Sequence, residues 1–299
     1  MTITAKIIAD SINSDGNRMT TMEIEYPRFI LAELNTHRML SKNSASSRAI
    51  PVESMHKHIH TNPAAPIYWG KNQPGMQAKE ELSGDDLNQA KSIWNLAKED
   101  ALHWAKKLFT TGAHKQVANR ITEPWMTMKT VISGTEWANF FWLRNHEDAQ
   151  PEIAALAIAM FDAMITSIPN ILEWGEWHVP YVKTERNALG ILCYYDNEGR
   201  RITVEQARII SASCCAQVSY RKNDDSYDKA VKIYKQLIES VPAHASPVEH
   251  QATPMSASMI EYWRTAEGIT HLDKQGQLWS GNLQGWIQFR KTIPNEAKW

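Results

Sequence analysis

Cysteine is scarce in this 299-residue chain: Cys193, Cys214 and Cys215 are the only three, and two are adjacent. That number and spacing exclude a disulfide framework or a CxxC zinc site and fit a reduced, cytoplasmic setting. Neither sign of charge is in excess, with 32 Lys+Arg against 33 Asp+Glu and a net charge of −1. The balance argues against wrapping nucleic acid or lying on an anionic membrane, so neither is an expected partner; local basic pockets remain open. No hydrophobic run approaches a membrane span, and the opening MTITAKIIADSINSDG lacks the apolar core of a signal peptide. GxGxxG, Walker, HExxH and GxSxG strings are missing, so no Rossmann or P-loop site is advertised.

What is present is ordinary globular material, 43% hydrophobic and 22% charged, long enough to bury a full core. Tryptophan stands out, with 12 residues beside only 6 Phe. Such large, flat, single-donor side chains suggest broad buried interfaces or stacking surfaces.

Residues 3–10 and 19–26 read as a strand pair, the second (MTTMEIEY) alternating apolar and polar, with Asp15-Gly16 as the turn. Pro27 suits the first turn of a helix running through Leu40. Residues 41–51 read as a polar loop and 51–83, rich in Pro and Gly, as an irregular stretch. Helical spacing then covers 85–109, with Gly112 as a stop. Further helices are expected over 135–144, from Pro151 onward, from a Thr203/Gln206 capping box through Cys215, and over 227–239.

The densest polar cluster is the string from Thr36 to Arg48, THRMLSKNSASSR. Two Arg, a His and several hydroxyls at a helix end supply donors for a phosphate; a solvated helix exit is the plainer reading. His56, His58 and His60 alternate along a Pro-rich stretch where exposure is the expected state, so no metal is assigned. Cys214 and Cys215 are expected to pack within a helix, and Trp137 and Trp142 to pack in the core.

The string resembles the signature of the flavin-dependent thymidylate synthases, RHRxxSxNExSxR. His37, Arg38, Ser41, Asn43, Ser46 and Arg48 hold the family spacing, whereas Thr36 replaces an Arg and Ser44 a Glu. Pro27, Phe29 and Ala32 suit the preceding helix, and Glu33 stands where the family has a nucleotide-contacting Gln. GAHKQVANRITEP is similar to the family segment with an Arg and a Pro four residues later, here Arg120 and Pro124. TEWANFFWLRNHEDAQPEI resembles its late helix, with Asn139, Leu143, Arg144, Ala149, Gln150 and Glu152 in register and Thr135 replacing an Arg. The family's opening blocks have counterparts near the C-terminus, CAQVSYRKND at 215–224 and AHASPVEH at 243–250. That order implies a circular permutation, which surface termini tolerate. A fainter echo of the signature, equally explained by chance, involves Arg290, Asn295 and Glu296.

The resemblance implies an α+β fold, helices packed on a mainly antiparallel sheet, in one domain spanning 1–299. Its parts would be a nucleotide-binding core (1–51 and 112–180), a helical insertion (52–111), a permuted flavin-binding segment (203–255) and a tail (256–299). It implies dUMP held by Glu33, Ser44, Ser46, Ser47, Arg48, Arg120, Leu143 and Arg144, with Arg144 as the catalytic group. It implies FAD held by His37, Arg38, Asn43, Asn139, Ser219, His244, Ser246 and Glu249. Methylene-tetrahydrofolate and NADPH would be cosubstrates, and the enzyme a homotetramer with shared active sites. No protein nucleophile is implied. Two rivals follow from the departures at Thr36, Ser44 and Thr135: an enzyme installing another one-carbon group such as hydroxymethyl, and an inactive nucleotide-binding scaffold.

Overall fold

In the computed structural model, which describes residues 2–219, 224–294 and 296, the expected strand pair forms the middle of the main sheet. β1 (Thr4–Ile12) and β2 (Arg18–Pro27) run antiparallel, and Gly16 between them takes φ +84°, a left-handed backbone that suits glycine. With β3 (Ser41–Ser44), β4 (Thr127–Gly134) and β5 (Asn170–Ile171) the order is β3-β4-β2-β1-β5. Only the β1–β5 pairing is parallel.

The helices are α1 (Leu31–Asn35), α2 (Val52–Thr61), α3 (Gly84–Thr110), α4 (Lys115–Ala118), α5 (Ala138–Arg144), α6 (Pro151–Ile165), α7 (Val204–Ala216) and α8 (Tyr227–Leu237). A small antiparallel sheet, β6 (Lys183–Arg186), β7 (Leu192–Tyr195) and β8 (Arg201–Ile202), precedes α7. The last stretch adds β9 (Ala252–Pro254), β10 (His271–Leu272), β11 (Leu278–Ser280), β12 (Leu283–Gln284) and β13 (Trp286–Gln288), with β9 pairing β13. The architecture is the α+β arrangement expected, and among the described residues no helix is long and apolar enough to cross a membrane.

Several elements differ from expectation. The helix expected through Leu40 stops at Asn35 because nearby side chains take its backbone groups. Thr36 Oγ1 donates to Glu33 O, and Lys42 Nζ donates to the carbonyls of His37 and Leu40. The polar run 41–51 begins as an edge strand, held by pairing to β4 rather than by its own propensity. β4 shows no alternation because nearly every residue in it is buried. Residues 52–61, read as irregular, are helical, with Val52, Met55 and Ile59 turned inward. The helix expected from Thr135 begins at Ala138, after a turn in which Trp137 Nε1 donates to Gly134 O. Trp142, expected in the core, is 72% exposed, since α5 turns Phe140 inward instead.

β2 explains the layering. Its Met22, Ile24 and Tyr26 pack with Ile132, Phe140, Ile153, Leu156 and Met160, so α5 and α6 cover one sheet face. Its other face is polar and also covered. Thr21 Oγ1 lies 2.6 Å from Ser133 Oγ and 2.8 Å from His178 Nε2, while His178 Nδ1 meets Ser11 Oγ at 2.8 Å. Ser133 Oγ also meets His250 Nδ1 at 2.8 Å. This buried seam ties the sheet to the C-terminal half, whose own core gathers around Trp177, Trp286 and Phe289. Burial holds His178 down to about 4 and His250 to about 3, so both imidazoles are neutral.

Candidate functional site

The signature peptide 36–48 is where separate parts of the chain converge. At its start, Arg144 at the end of α5 is seated at three points. Its Nε donates to His37 Nε2 at 2.9 Å, one terminal nitrogen donates to Glu33 Oε2 at 3.3 Å, and the other donates to Thr36 Oγ1 at 3.3 Å. Because His37 Nε2 accepts, its ring proton sits on Nδ1. Burial, then the charges of Arg144 and Lys42, holds His37 down to about 4. The ring also meets Phe140 edge-on at 4.9 Å. Among the described residues, three of the five guanidinium N–H groups on Arg144 are engaged, leaving one on each terminal nitrogen as a free fork.

Further along, Asn282 from the tail donates to Met39 O at 3.0 Å and to Ser41 Oγ at 3.1 Å. Lys42 is held down to about 8 by burial, with Glu249 opposing the shift. Asn43 Nδ2 donates to Cys215 O at 3.2 Å, and Ser46 N donates to Ser219 Oγ at 2.9 Å. The C-terminal block that the sequence likened to the family's opening therefore docks on the signature strand. Tyr220–Asn223 of that block lie outside the described residues.

Ser44 Oγ accepts from Thr130 Oγ1 at 2.8 Å, with Tyr26 OH 2.8 Å from the same threonine. Ser47 Oγ donates to Glu123 Oε1 at 3.1 Å, and the same oxygen accepts from Arg120 at 2.9 Å and pairs with Arg28 at 3.0 Å. Arg48 and Arg120 line one cavity of about 380 Å³ with Gln116 and Val117. A second cavity, about 370 Å³, lies under α2 with Ala45 and Ser219 in its wall.

The remaining candidates are more dispersed. Arg38, Asn139, His244 and Ser246 are exposed, and Leu143 is 43% exposed. Glu249 is paired with Arg290, which also bonds Glu296 at 2.6 Å; Asn295 of the fainter echo lies outside the described residues. Thr135 Oγ1 accepts from Gln284 N at 3.1 Å, so the tail occupies the position of one family departure. Cys214 and Cys215 are buried, their thiols pushed up by burial, the first to about 12. His56, His58 and His60 lie on α2, where alternate residues diverge, and His58 Nε2 bonds Thr127 Oγ1 at 2.6 Å. Among the described residues no group of three or more His, Cys, Asp or Glu side chains is arranged to hold a metal ion.

Sequence reasoning missed Lys42, Glu123 and Asn282. Lys42 sat unremarked within the signature, and Glu123 follows Arg120 at helical i,i+3 spacing. Asn282 carried no sequence signal, because it belongs to a tail without a motif.

Comparison with known proteins adds three findings. The family model described as thymidylate synthase complementing protein matches residues 18–170, just over half of the chain. The match runs through 52–111 and stops short of 203–255. Two solved structures of the UMP/dUMP methylase PolB from Streptomyces cacaoi are similar. The one bound with 5-Br UMP has TM-score 0.45 and 18% identity, covering 55% of this chain and 88% of that one. The one bound with 5-Br dUMP has TM-score 0.43 and 16% identity, covering 55% and 90%. No curated protein matches the chain.

Proposed function

Because this chain belongs to the thymidylate synthase complementing protein family, we propose that it is a flavin-dependent thymidylate synthase, methylating C5 of dUMP. The one-carbon unit comes from methylene-tetrahydrofolate, and NADPH supplies the reducing equivalents. The observation that carries this reading is the three-point seating of Arg144 against Glu33, Thr36 and His37, with its outer fork unoccupied.

A pyrimidine ring that accepts hydride or carbon must bear negative charge, and a fixed guanidinium stabilises that charge without reorganising. Glu33 and neutral His37 hold Arg144 in place for this role, and exposed Leu143 offers an apolar edge beside it. The dUMP phosphate is assigned to Arg48 and Arg120, which share a cavity wall, with Ser46 and Ser47 as neighbouring hydroxyls and Ser44 on the base side. Ser46 is a binding group rather than a nucleophile, since among the described residues no base is bonded to its hydroxyl.

The flavin reading fits the donor set. Arg38, Asn139, His244 and Ser246 are solvent-facing, and their side chains make no hydrogen bond among the described residues. A guanidinium, an imidazole, an amide and a hydroxyl suit a pyrophosphate and the polar edge of an isoalloxazine. The other residues assigned to the flavin, Asn43, Ser219, His37 and Glu249, are each already bonded within the chain. Bound FAD would supply the hydride; the protein's part is to hold it against the pyrimidine.

The exposed candidates and the outer face of α6, where Ile158, Phe161 and Ile165 are uncovered, support a homotetramer with shared sites. Light scattering is expected to give four chains per particle; a monomer overturns the shared-site reading. For the reaction itself, the full chain is incubated with dUMP, FAD, NADPH and methylene-tetrahydrofolate, and the product is weighed. The mass of dTMP is expected. A hydroxymethyl product would favour the second reading, motivated by Thr135 being bonded to the tail rather than free toward a flavin. Protein that neither carries nor takes up FAD, by absorbance, would favour an inactive nucleotide-binding scaffold.

A further inference from the structure

The cavity under α2 has a polar floor whose groups are satisfied in an unusual order. Glu25 on β2 and Lys129 on β4 are register partners, directly across from one another. Cross-strand opposite charges ordinarily pair, yet these two do not. Lys129 Nζ pairs with Glu23 at 3.0 Å. Glu25 Oε1 accepts from Thr127 Oγ1 at 2.6 Å and from Asn62 Nδ2 at 3.3 Å. The Thr127 proton is thereby used, so His58 Nε2, 2.6 Å from Thr127 Oγ1, must be the donor there. The chain His58→Thr127→Glu25 fixes the carboxylate and, among the described residues, leaves its Oε2 without a hydrogen bond.

The floor therefore offers a fixed acceptor beside an ammonium with donors to spare. Ile50, Met55 and Val218 add apolar side chains to the same lining. The volume, about 370 Å³, takes a bicyclic ring. We propose that this cavity binds a planar 2-amino-4-oxo heterocycle, the edge shared by pterins and guanine. The ring N–H and amino group would donate to Glu25, and the carbonyl would accept from Lys129. Uracil fits less well, because its second carbonyl would face the carboxylate. Ala45 and Ser219 in the wall adjoin Ser46, so a pterin here would lie beside the nucleotide groups. That pterin assignment rests on the reading that a reduced folate donates the carbon.

The test is calorimetric titration of the full chain with 5-methyltetrahydrofolate, GMP and dUMP separately, using wild type, Glu25→Gln and Ser54→Trp. Glu25→Gln keeps an acceptor for Thr127 but turns the free oxygen into a donor; Ser54→Trp fills the cavity from α2. Reduced folate is expected to bind wild type and to bind each variant at least tenfold more weakly, the loss expected for a hydrogen bond to a charged group. dUMP affinity is expected to stay within about twofold, and circular dichroism to show both variants folded. Folate binding that is indifferent to both substitutions overturns the cavity assignment while leaving the folate reaction intact. GMP binding that is lost in both variants, with no folate binding, supports the ring chemistry and removes the folate reading. Neither ligand binding, or dUMP alone being lost in the variants, overturns the proposal.

Discussion

Arg144 shows how much one side chain depends on its neighbours. Its three hydrogen bonds keep the charge in one place, and two of the acceptors come from a peptide more than a hundred positions earlier. Arg144→Ala is expected to lower turnover by roughly a hundredfold or more, measured as dTMP formed at saturating dUMP; a loss below about tenfold contradicts the assigned role. Arg144→Lys keeps charge but cannot reach His37, Glu33 and Thr36 together, so most of that loss is expected to persist. His37 gives a check independent of activity. Its ring is expected to stay neutral by NMR titration down to about pH 4, and in Arg144→Ala the pKa is expected to rise, since a neighbouring cation is removed. Thr36 and His37 stand in the string THRMLSKNSASSR, Glu33 just before it and Arg144 in TEWANFFWLRNHEDAQPEI, but their bonding was not legible there. Nothing in a pattern announces that Glu33 would pair with Arg144, because the pairing is made by the meeting of two helix ends.

Among elements, legibility followed local chemistry. α7 was readable because Thr203 and Gln206 form both bonds of the capping box within one turn, at 2.9 and 3.2 Å. Thr203→Ala is expected to cost about 1 kcal/mol in urea unfolding. α6 was readable from its apolar run behind Pro151, and Leu156, fully buried on it, is expected to cost about 3 kcal/mol on replacement by alanine. β3 and β4 were not readable. Ser41–Ser44 has no strand propensity of its own and is a strand because β4 lies beside it. α2 was hidden by prolines on both sides, with three buried apolar residues as its only periodicity. Where a neighbour rather than the segment itself decides conformation, a single sequence carries little of the answer.

At the scale of the whole molecule, the two halves meet through neutral histidines. Unfolded histidine takes a proton near pH 6.5, whereas His178 and His250 in place take one only near 4 and 3. Their folded values are depressed, so the unfolded chain binds more protons as pH falls below about 6.5. Stability is therefore fully present above that pH and declines toward 4. Between pH 7.5 and 5 the loss is expected to be about 2 kcal/mol per histidine, read from urea midpoints. His178→Asn, which keeps polar atoms without titrating there, is expected to flatten part of that slope; an unchanged slope would remove His178 as a cause.

The meeting of distant segments at the signature strand also sets when the site can exist. Ser46 waits for Ser219, 173 residues later, and Ser41 for Asn282, 241 residues later. At ordinary rates of synthesis that interval is on the order of ten seconds or more. During it, a nascent chain already holding Arg38, Arg48, Arg120 and Arg144 has a peptide edge with no partner. Synthesis of Asn282, rather than appearance of the motif, is the event that completes these contacts of the signature strand.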